Sequence, residues 1–228
     1  MPKRSCPHML VYYRCHLPVL NRSIILSCPA RSYICTMHTL AVFASGAGSN
    51  TRNIITHFKT HLQIKVALVV CNKPAAGVLQ LASQAGVATL LVEKEKFFSP
   101  ASYVYELKER RIDFIVLAGF LWKIPSVLID AYPHRIINIH PALLPRYGGK
   151  GMYGSAVHEA VIRSGDPESG ITIHWVDDQY DHGKTILQAR CPVDASDTPE
   201  TLAAKIHQLE YAYYPEVIEK VLNLDSRD

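Results

Sequence analysis

Asn138 and His140 stand two residues apart at the end of an apolar run, Arg135-Ile136-Ile137-Asn138-Ile139-His140, which Pro141 closes. Alternate residues of a strand point to one face, and proline cannot donate to a sheet ladder. The spacing therefore predicts a buried strand with both polar side chains together at its carboxyl edge. An amide donor beside an imidazole that titrates near neutrality suits polarising a carbonyl and moving a proton. A satisfied strand-end asparagine with a surface histidine fits the same spacing. Downstream, Asp177-Asp178-Gln179-Tyr180-Asp181-His182-Gly183 falls between two further strand-like runs and can bring Asp181 over the end of that strand. A carboxylate there is expected to orient His140 and to raise its pKa above about 6.5 by favouring the charged ring. Taken alone, the same Asp- and Gly-rich loop also reads as a solvated acidic turn. No metal site is expected: the histidines are scattered, with no HExxH and no His/Cys set at ligand spacing.

A second candidate lies near residue 50. Ser45-Gly46-Ala47-Gly48-Ser49-Asn50 falls at the first strand-to-helix turn, where glycines admit an anion to the backbone and the helix start offers free N–H groups. A dinucleotide fingerprint would need a third small residue where this chain has Thr51. It would also need an acidic residue after the second strand, where Cys71-Asn72-Lys73 stands instead. A single phosphomonoester on Gly48, Ser49 and Asn50 fits better. A tight turn with no ligand is the plainer alternative. Gly148-Gly149-Lys150-Gly151 lacks the Ser/Thr of a P-loop and reads as a mobile loop bordering the site.

These residues need a frame. Strand runs over Thr39–Ala44, Ile64–Val70, Val87–Val92, Phe114–Ala118 and Ile136–Ile139 alternate with helical ones over 50–59 (capped by Ser49), 75–85, 102–111 and 126–132. That alternation predicts a doubly wound, mostly parallel α/β sheet, whose ligands bind at the carboxyl ends of its strands. After a helix over 155–163, Ile171–Val176 and Thr185–Cys191 read as a hairpin, so one strand is expected to run antiparallel. A long helix from Thr198 to Leu222, with Pro215 as a possible kink, closes the chain.

The net charge of +4 belongs to the first 37 residues, which hold Lys3, Arg4, Arg14, Arg22 and Arg31 and no acid. Of 24 basic residues, the other 19 face 20 acidic ones, so the body has no basic excess to draw nucleic acid. Four of six cysteines also precede Met37, leaving Cys71 and Cys191; with no CxxC, a reducing cytoplasm is the simplest setting. Residues 1–37 are set aside as an N-terminal extension, read first as an upstream mis-assigned start, then as a targeting peptide or an accessory segment. Residues 38–228 form one domain, with no apolar run long enough to span a membrane.

From about Met37 to Leu222 the chain resembles the folate-dependent phosphoribosylglycinamide formyltransferases of purine biosynthesis, within the formyltetrahydrofolate-using superfamily. The blocks that carry the resemblance are Ser45–Asn50, Val116–Phe120, Asn138-Ile139-His140-Pro141-Ala142-Leu143-Leu144-Pro145, Gly170–His174 and Asp181-His182-Gly183. The resemblance implies a three-layer, Rossmann-like fold with a seven-stranded sheet, in agreement with the pattern above. It makes His140 the catalytic histidine, Asn138 the asparagine on the formyl oxygen and Asp181 the aspartate that tunes the histidine. It assigns Gly48, Ser49 and Asn50 to the substrate phosphate, Glu210 to the ribose hydroxyls, and the backbone of Leu121, Trp122, Lys123 and Ile124 to the lining of the folate pocket. The implied co-substrate is 10-formyltetrahydrofolate, with small-molecule partners and no nucleic acid or membrane. The chain departs from the common pattern at Trp122, where many members have arginine, in lacking an arginine around Phe98–Ser102, and in a longer loop over Gly148–Gly154.

Four rivals share part of this pattern, and one of them, a methionyl-tRNA formyltransferase, is disfavoured by the slightly acidic body and the lack of the C-terminal domain expected of it. A formyltetrahydrofolate deformylase has the same Asn/His/Asp core but a regulatory domain that 37 residues cannot supply. A nicotinamide-dependent oxidoreductase needs the missing acid after the second strand, and a non-catalytic binding module has no use for the three polar residues.

Overall fold

The computed structural model describes residues 37–225, so apart from Met37 the expected extension lies outside the described residues. Seven strands are present: β1 (His38–Phe43), β2 (Ile64–Cys71), β3 (Ala88–Leu91), β4 (Phe114–Leu117), β5 (Ile136–His140), β6 (Glu168–Trp175) and β7 (Thr185–Pro192). They form one sheet in the order β3-β2-β1-β4-β5-β6-β7. Every pair from β3 to β5 is parallel, and β6 runs against both β5 and β7. The single antiparallel strand expected from the hairpin is therefore β6.

Burial explains the sequence pattern. Phe114, Ile115, Val116 and Leu117 of β4 are all buried, as a central strand covered on both faces requires. On one face Phe114, Val116, Ile137 and Ile139 pack with side chains of α1 (Ser49–Phe58), α6 (Ser155–Ser164) and α7 (Pro199–Asp225). On the other, Ile115, Leu117 and Ile136 pack with α3 (Lys94–Phe97), α4 (Val104–Glu109) and α5 (Ser126–Ala131). The remaining helix, α2 (Gly77–Gln84), buries Val78 and Ala82 against Ala44, Val69 and Cys71. Each such aliphatic or aromatic side chain contributes roughly 1.5–3 kcal/mol on burial. The result is the expected three layers.

The boundaries differ in informative places. The helix expected over 102–111 is shorter, because Ser102 and Arg111 both have positive φ and bracket α4. Ser49 is the first residue of α1 and not its cap; Gly48 caps it at φ 82°, with no side-chain cap. A Cβ at Gly48 would lie 2.6 Å from Val78 Cγ2, so both backbone and packing require glycine there. Helix α7 continues through Pro215. Among the described residues no helix is long and apolar enough to cross a membrane.

Candidate active site

The strand register places Ile137 and Ile139 in the core and turns Asn138 and His140 to the opposite face, as two-residue spacing demands. Thr172, fully buried on β6 opposite His140, fixes the turn beyond the strand. Its hydroxyl donates to the Ala142 carbonyl at 2.7 Å and accepts the Leu144 N–H at 3.0 Å. The β6–β7 loop then folds back over this face. Gly183 permits that, since a Cβ there would lie 1.9 Å from the Trp175 carbonyl oxygen.

This fold-back carries Asp181 onto the pair. One carboxylate oxygen is 3.6 Å from His140 Nδ1; the other is 3.4 Å from Asn138 Nδ2 and 3.7 Å from His174 Nε2. The N–H of Gly149 donates to Asp181 at 2.9 Å, and His140 Nε2 meets the Tyr147 carbonyl at 2.7 Å. Asp181 itself sits at φ 52°, a sparsely populated region where backbone strain accompanies function more often than elsewhere.

The electrostatics correct one expectation. Burial pushes the His140 pKa below its ordinary value, and the opposing pull of Asp181 and of the Tyr147 carbonyl does not overcome it. Asp181 does favour the imidazolium, but His140 is only 4% exposed, so the loss of hydration outweighs the charge. Burial also acts on Asp181, in the upward direction. The charge on the neighbouring His140 ring and the Gly149 N–H nonetheless hold it below the usual carboxylate range, so it is ionised at neutral pH.

Across the site stands the glycine loop. The first N–H groups of α1, those of Ser49 and Asn50 among them, have no acceptor within the helix and open at its positive end. Asn50 Nδ2 donates to Glu210 Oε2 at 2.9 Å, and His207 Nδ1 bonds the same oxygen at 2.8 Å. That bond to Glu210 raises the His207 pKa. Ser45 links this wall to the next: its hydroxyl donates to Asn72 Oδ1 at 2.6 Å and accepts the Leu121 N–H at 2.9 Å.

One open cavity of about 730 Å³ joins these groups. It is lined by Gly48, Ser49, Asn50, Leu121, Asn138, His140, Asp181 and Glu210, so the two sequence candidates are opposite walls of a single site. Gly149 to Gly154 form a further wall, as expected for a loop bordering it. Trp122, Lys123 and Ile124 are not among the lining residues. The Trp122 side chain packs on Phe97, Phe98 and Phe120, and that of Ile124 is buried in the core. Three histidines were missed in the sequence. His207 was legible as one helical turn before Glu210. His158 lines the cavity 5% exposed, and His174 reaches Asn138 from β6; both depend on tertiary placement. Among the described residues no group of three or more His, Cys, Asp or Glu could hold a metal ion.

With this mostly parallel sheet, the Asn–His–Asp cluster at the edge of β5 and the facing glycine loop, the protein is of the formyl transferase class; the chain belongs to the formyl transferase family, whose model matches residues 38–218. It is similar to phosphoribosylglycinamide formyltransferase of Bacillus subtilis, 37% identical over 196 residues that cover 84% of this chain and 98% of the relative. It is also similar to the chloroplastic phosphoribosylglycinamide formyltransferase of Vigna unguiculata, at 46% over 185 residues; there the match covers 79% of this chain and only 59% of the relative. The crystal structure of glycinamide ribonucleotide transformylase 1 from Geobacillus kaustophilus superposes with a TM-score of 0.74 at 37% identity, covering 82% of this chain and 99% of that one.

Proposed function

We propose that the protein transfers the formyl group of 10-formyltetrahydrofolate to the primary amine of 5-phosphoribosylglycinamide, a step of de novo purine (IMP) biosynthesis. The observation that carries this reading is the ionised Asp181 beside both His140 and Asn138 in a cavity that ends at the α1 N-terminus. A phosphate held by the Gly48, Ser49 and Asn50 backbone, with ribose hydroxyls on Glu210, directs the rest of the substrate toward His140. The folate enters along Leu121.

The amine nitrogen attacks the formyl carbon, the carbonyl electrons move to oxygen, and an N–H of Asn138 with His140 holds that oxyanion. The oxyanion electrons then re-form the carbonyl, and the carbon–nitrogen bond to the folate breaks as its nitrogen takes a proton from His140. The attacking nitrogen, now an ammonium, returns a proton to the neutral His140 and leaves the formamide. Oxyanion donors of this kind are worth roughly 3–4 kcal/mol each. Asp181 keeps the required imidazolium accessible against burial. In the described state the Tyr147 carbonyl occupies His140 Nε2, so substrate must displace that carbonyl.

The expected setting is the cytoplasm, where Cys71 and Cys191, both free, stay reduced. The reaction is tested by mixing the protein with 10-formyltetrahydrofolate, with and without glycinamide ribonucleotide. Tetrahydrofolate should form only when the amine is present. Equal release of formate without it would identify a deformylase.

A further inference from the structure

His174 has no part in the reaction as written, yet it is 2% exposed and sits directly opposite Asn138 in the antiparallel β5–β6 register. Cross-strand neighbours of this kind hold their side chains within contact distance. Its two ring nitrogens have different neighbours. Nδ1 lies 2.8 Å from the carbonyl oxygen of Trp175, which can only accept, so Nδ1 carries a proton. Nε2 lies 3.1 Å from Asn138 Nδ2.

The Asn138 amide could be turned either way, and Asp181 decides the matter. The reverse orientation would put the amide oxygen 3.4 Å from a carboxylate oxygen, two acceptors with no proton between them. The amide nitrogen therefore faces Asp181. An amide nitrogen cannot accept a hydrogen bond, so His174 Nε2 must be the acceptor and the ring is the neutral Nδ1–H tautomer. The Asp181 oxygen, 3.7 Å from Nε2, is too far to take a proton from it.

Resting on the formyl-transfer reading, we propose that His174 is a positioning residue that locks the Asn138 amide. The directional chain runs from the Trp175 carbonyl to His174 and from His174 to Asn138. It engages one amide N–H and so fixes the direction of the second, only loosely held by Asp181 at 3.4 Å, which is left to donate to the developing oxyanion. Without the lock, only the loose contact with Asp181 holds the amide, and the second N–H loses its aim at the oxyanion. The interaction matters only once that charge develops, so it bears on kcat and not on substrate binding.

The tautomer is read on the wild-type full chain by long-range ¹H–¹⁵N correlation of the histidine rings. His174 should show a protonated Nδ1 and a bare Nε2 at neutral pH; an Nε2–H tautomer or an imidazolium would overturn the assignment. Kinetics tests the consequence. His174→Asn, which removes the acceptor at the Nε2 position, should lower kcat roughly tenfold to a hundredfold, with KM for both substrates changed less than about twofold. His174→Gln, whose side-chain oxygen reaches that position, should recover most of the loss. In an Asn138→Ala background His174→Asn should have little further effect, because the two act as a unit. An equal loss in that background, or unchanged kcat in the single variant, would contradict the lock. The nitrogen spectrum requires no turnover, so it decides the tautomer even if formyl transfer is not the reaction.

Discussion

Around the glycine loop the groups offered to a ligand are backbone N–H groups at the start of α1, whereas on the facing wall they are the side chains of Asn138, His140 and Asp181. The first wall is set by conformation. Its donors do not titrate, and it depends on one glycine at φ 82° pressed against Val78. The second is set by burial and charge, and its parts oppose one another: burial drives His140 toward neutrality while Asp181 holds it back. The backbone donors of the glycine loop are thus indifferent to pH while the chemical wall stays poised. Changes to the first should therefore appear in KM or in stability, and changes to the second in kcat and its pH profile.

The largest effect should come from His140→Ala. General acid–base assistance is worth roughly 10²–10⁴ in rate, so turnover should fall by that factor while substrate KM hardly moves. Steady-state kinetics with both substrates checks this; a matching rise in KM would erase the distinction between the walls.

On the binding wall, the dephosphorylated substrate should lose charged hydrogen bonds to the Ser49 and Asn50 backbone. Each is worth about 1.5–3 kcal/mol, so its KM should rise at least roughly tenfold with kcat nearly kept. Equal KM for the two forms would remove the phosphate from this loop.

Asp181→Asn sharpens the contrast. Asp181 is the strongest influence that raises the His140 pKa, so its removal leaves burial less opposed and the pKa falls further. The protonated fraction at neutral pH then drops about tenfold for every pH unit by which the midpoint falls, and the kcat profile moves to lower pH. An NMR titration of His140 in both proteins gives the two midpoints directly; an unchanged midpoint would make Asp181 a turn residue only.

Two smaller effects concern stability. Gly48→Ala should cost about 1–3 kcal/mol through backbone strain, with added cost from the contact with Val78, and lower Tm by several degrees. His140 and His158 both titrate below their ordinary value, chiefly because they are buried. The unfolded chain therefore binds protons more readily than the folded one as pH falls below about 6.5. The contribution of these two histidines should be full above that pH and decline below it, while His207, whose pKa Glu210 raises, acts in the opposite sense. With His207→Ala removing that opposing group, urea midpoints at successive pH values should show the decline.

Much of this arrangement was legible because it is local. Pro141 ends β5, two-residue spacing pairs Asn138 with His140, and glycines before α1 mark the wall that faces them across the cavity. The fold followed from the alternation of apolar runs and helical ones. What escaped is tertiary. His174 meets Asn138 only through the antiparallel register of β6, and His158 enters the cavity only because α6 packs beside α7. The direction in which the His140 pKa moves depended on how completely the Tyr147 segment and the β6–β7 loop cover the ring. The Trp122 side chain joins an aromatic cluster with Phe97 and Phe98 that only the tertiary fold assembles.

In the proposed reaction one cavity holds the amine substrate by its phosphate and delivers it to a formyl carbon at His140. Following a ¹³C label from the formyl group of 10-formyltetrahydrofolate tests this most directly. With glycinamide ribonucleotide present, the label should appear as a formamide on the glycinamide nitrogen, and His140→Ala should suppress its appearance. Label recovered as free formate, or transfer undiminished in that variant, would contradict the account.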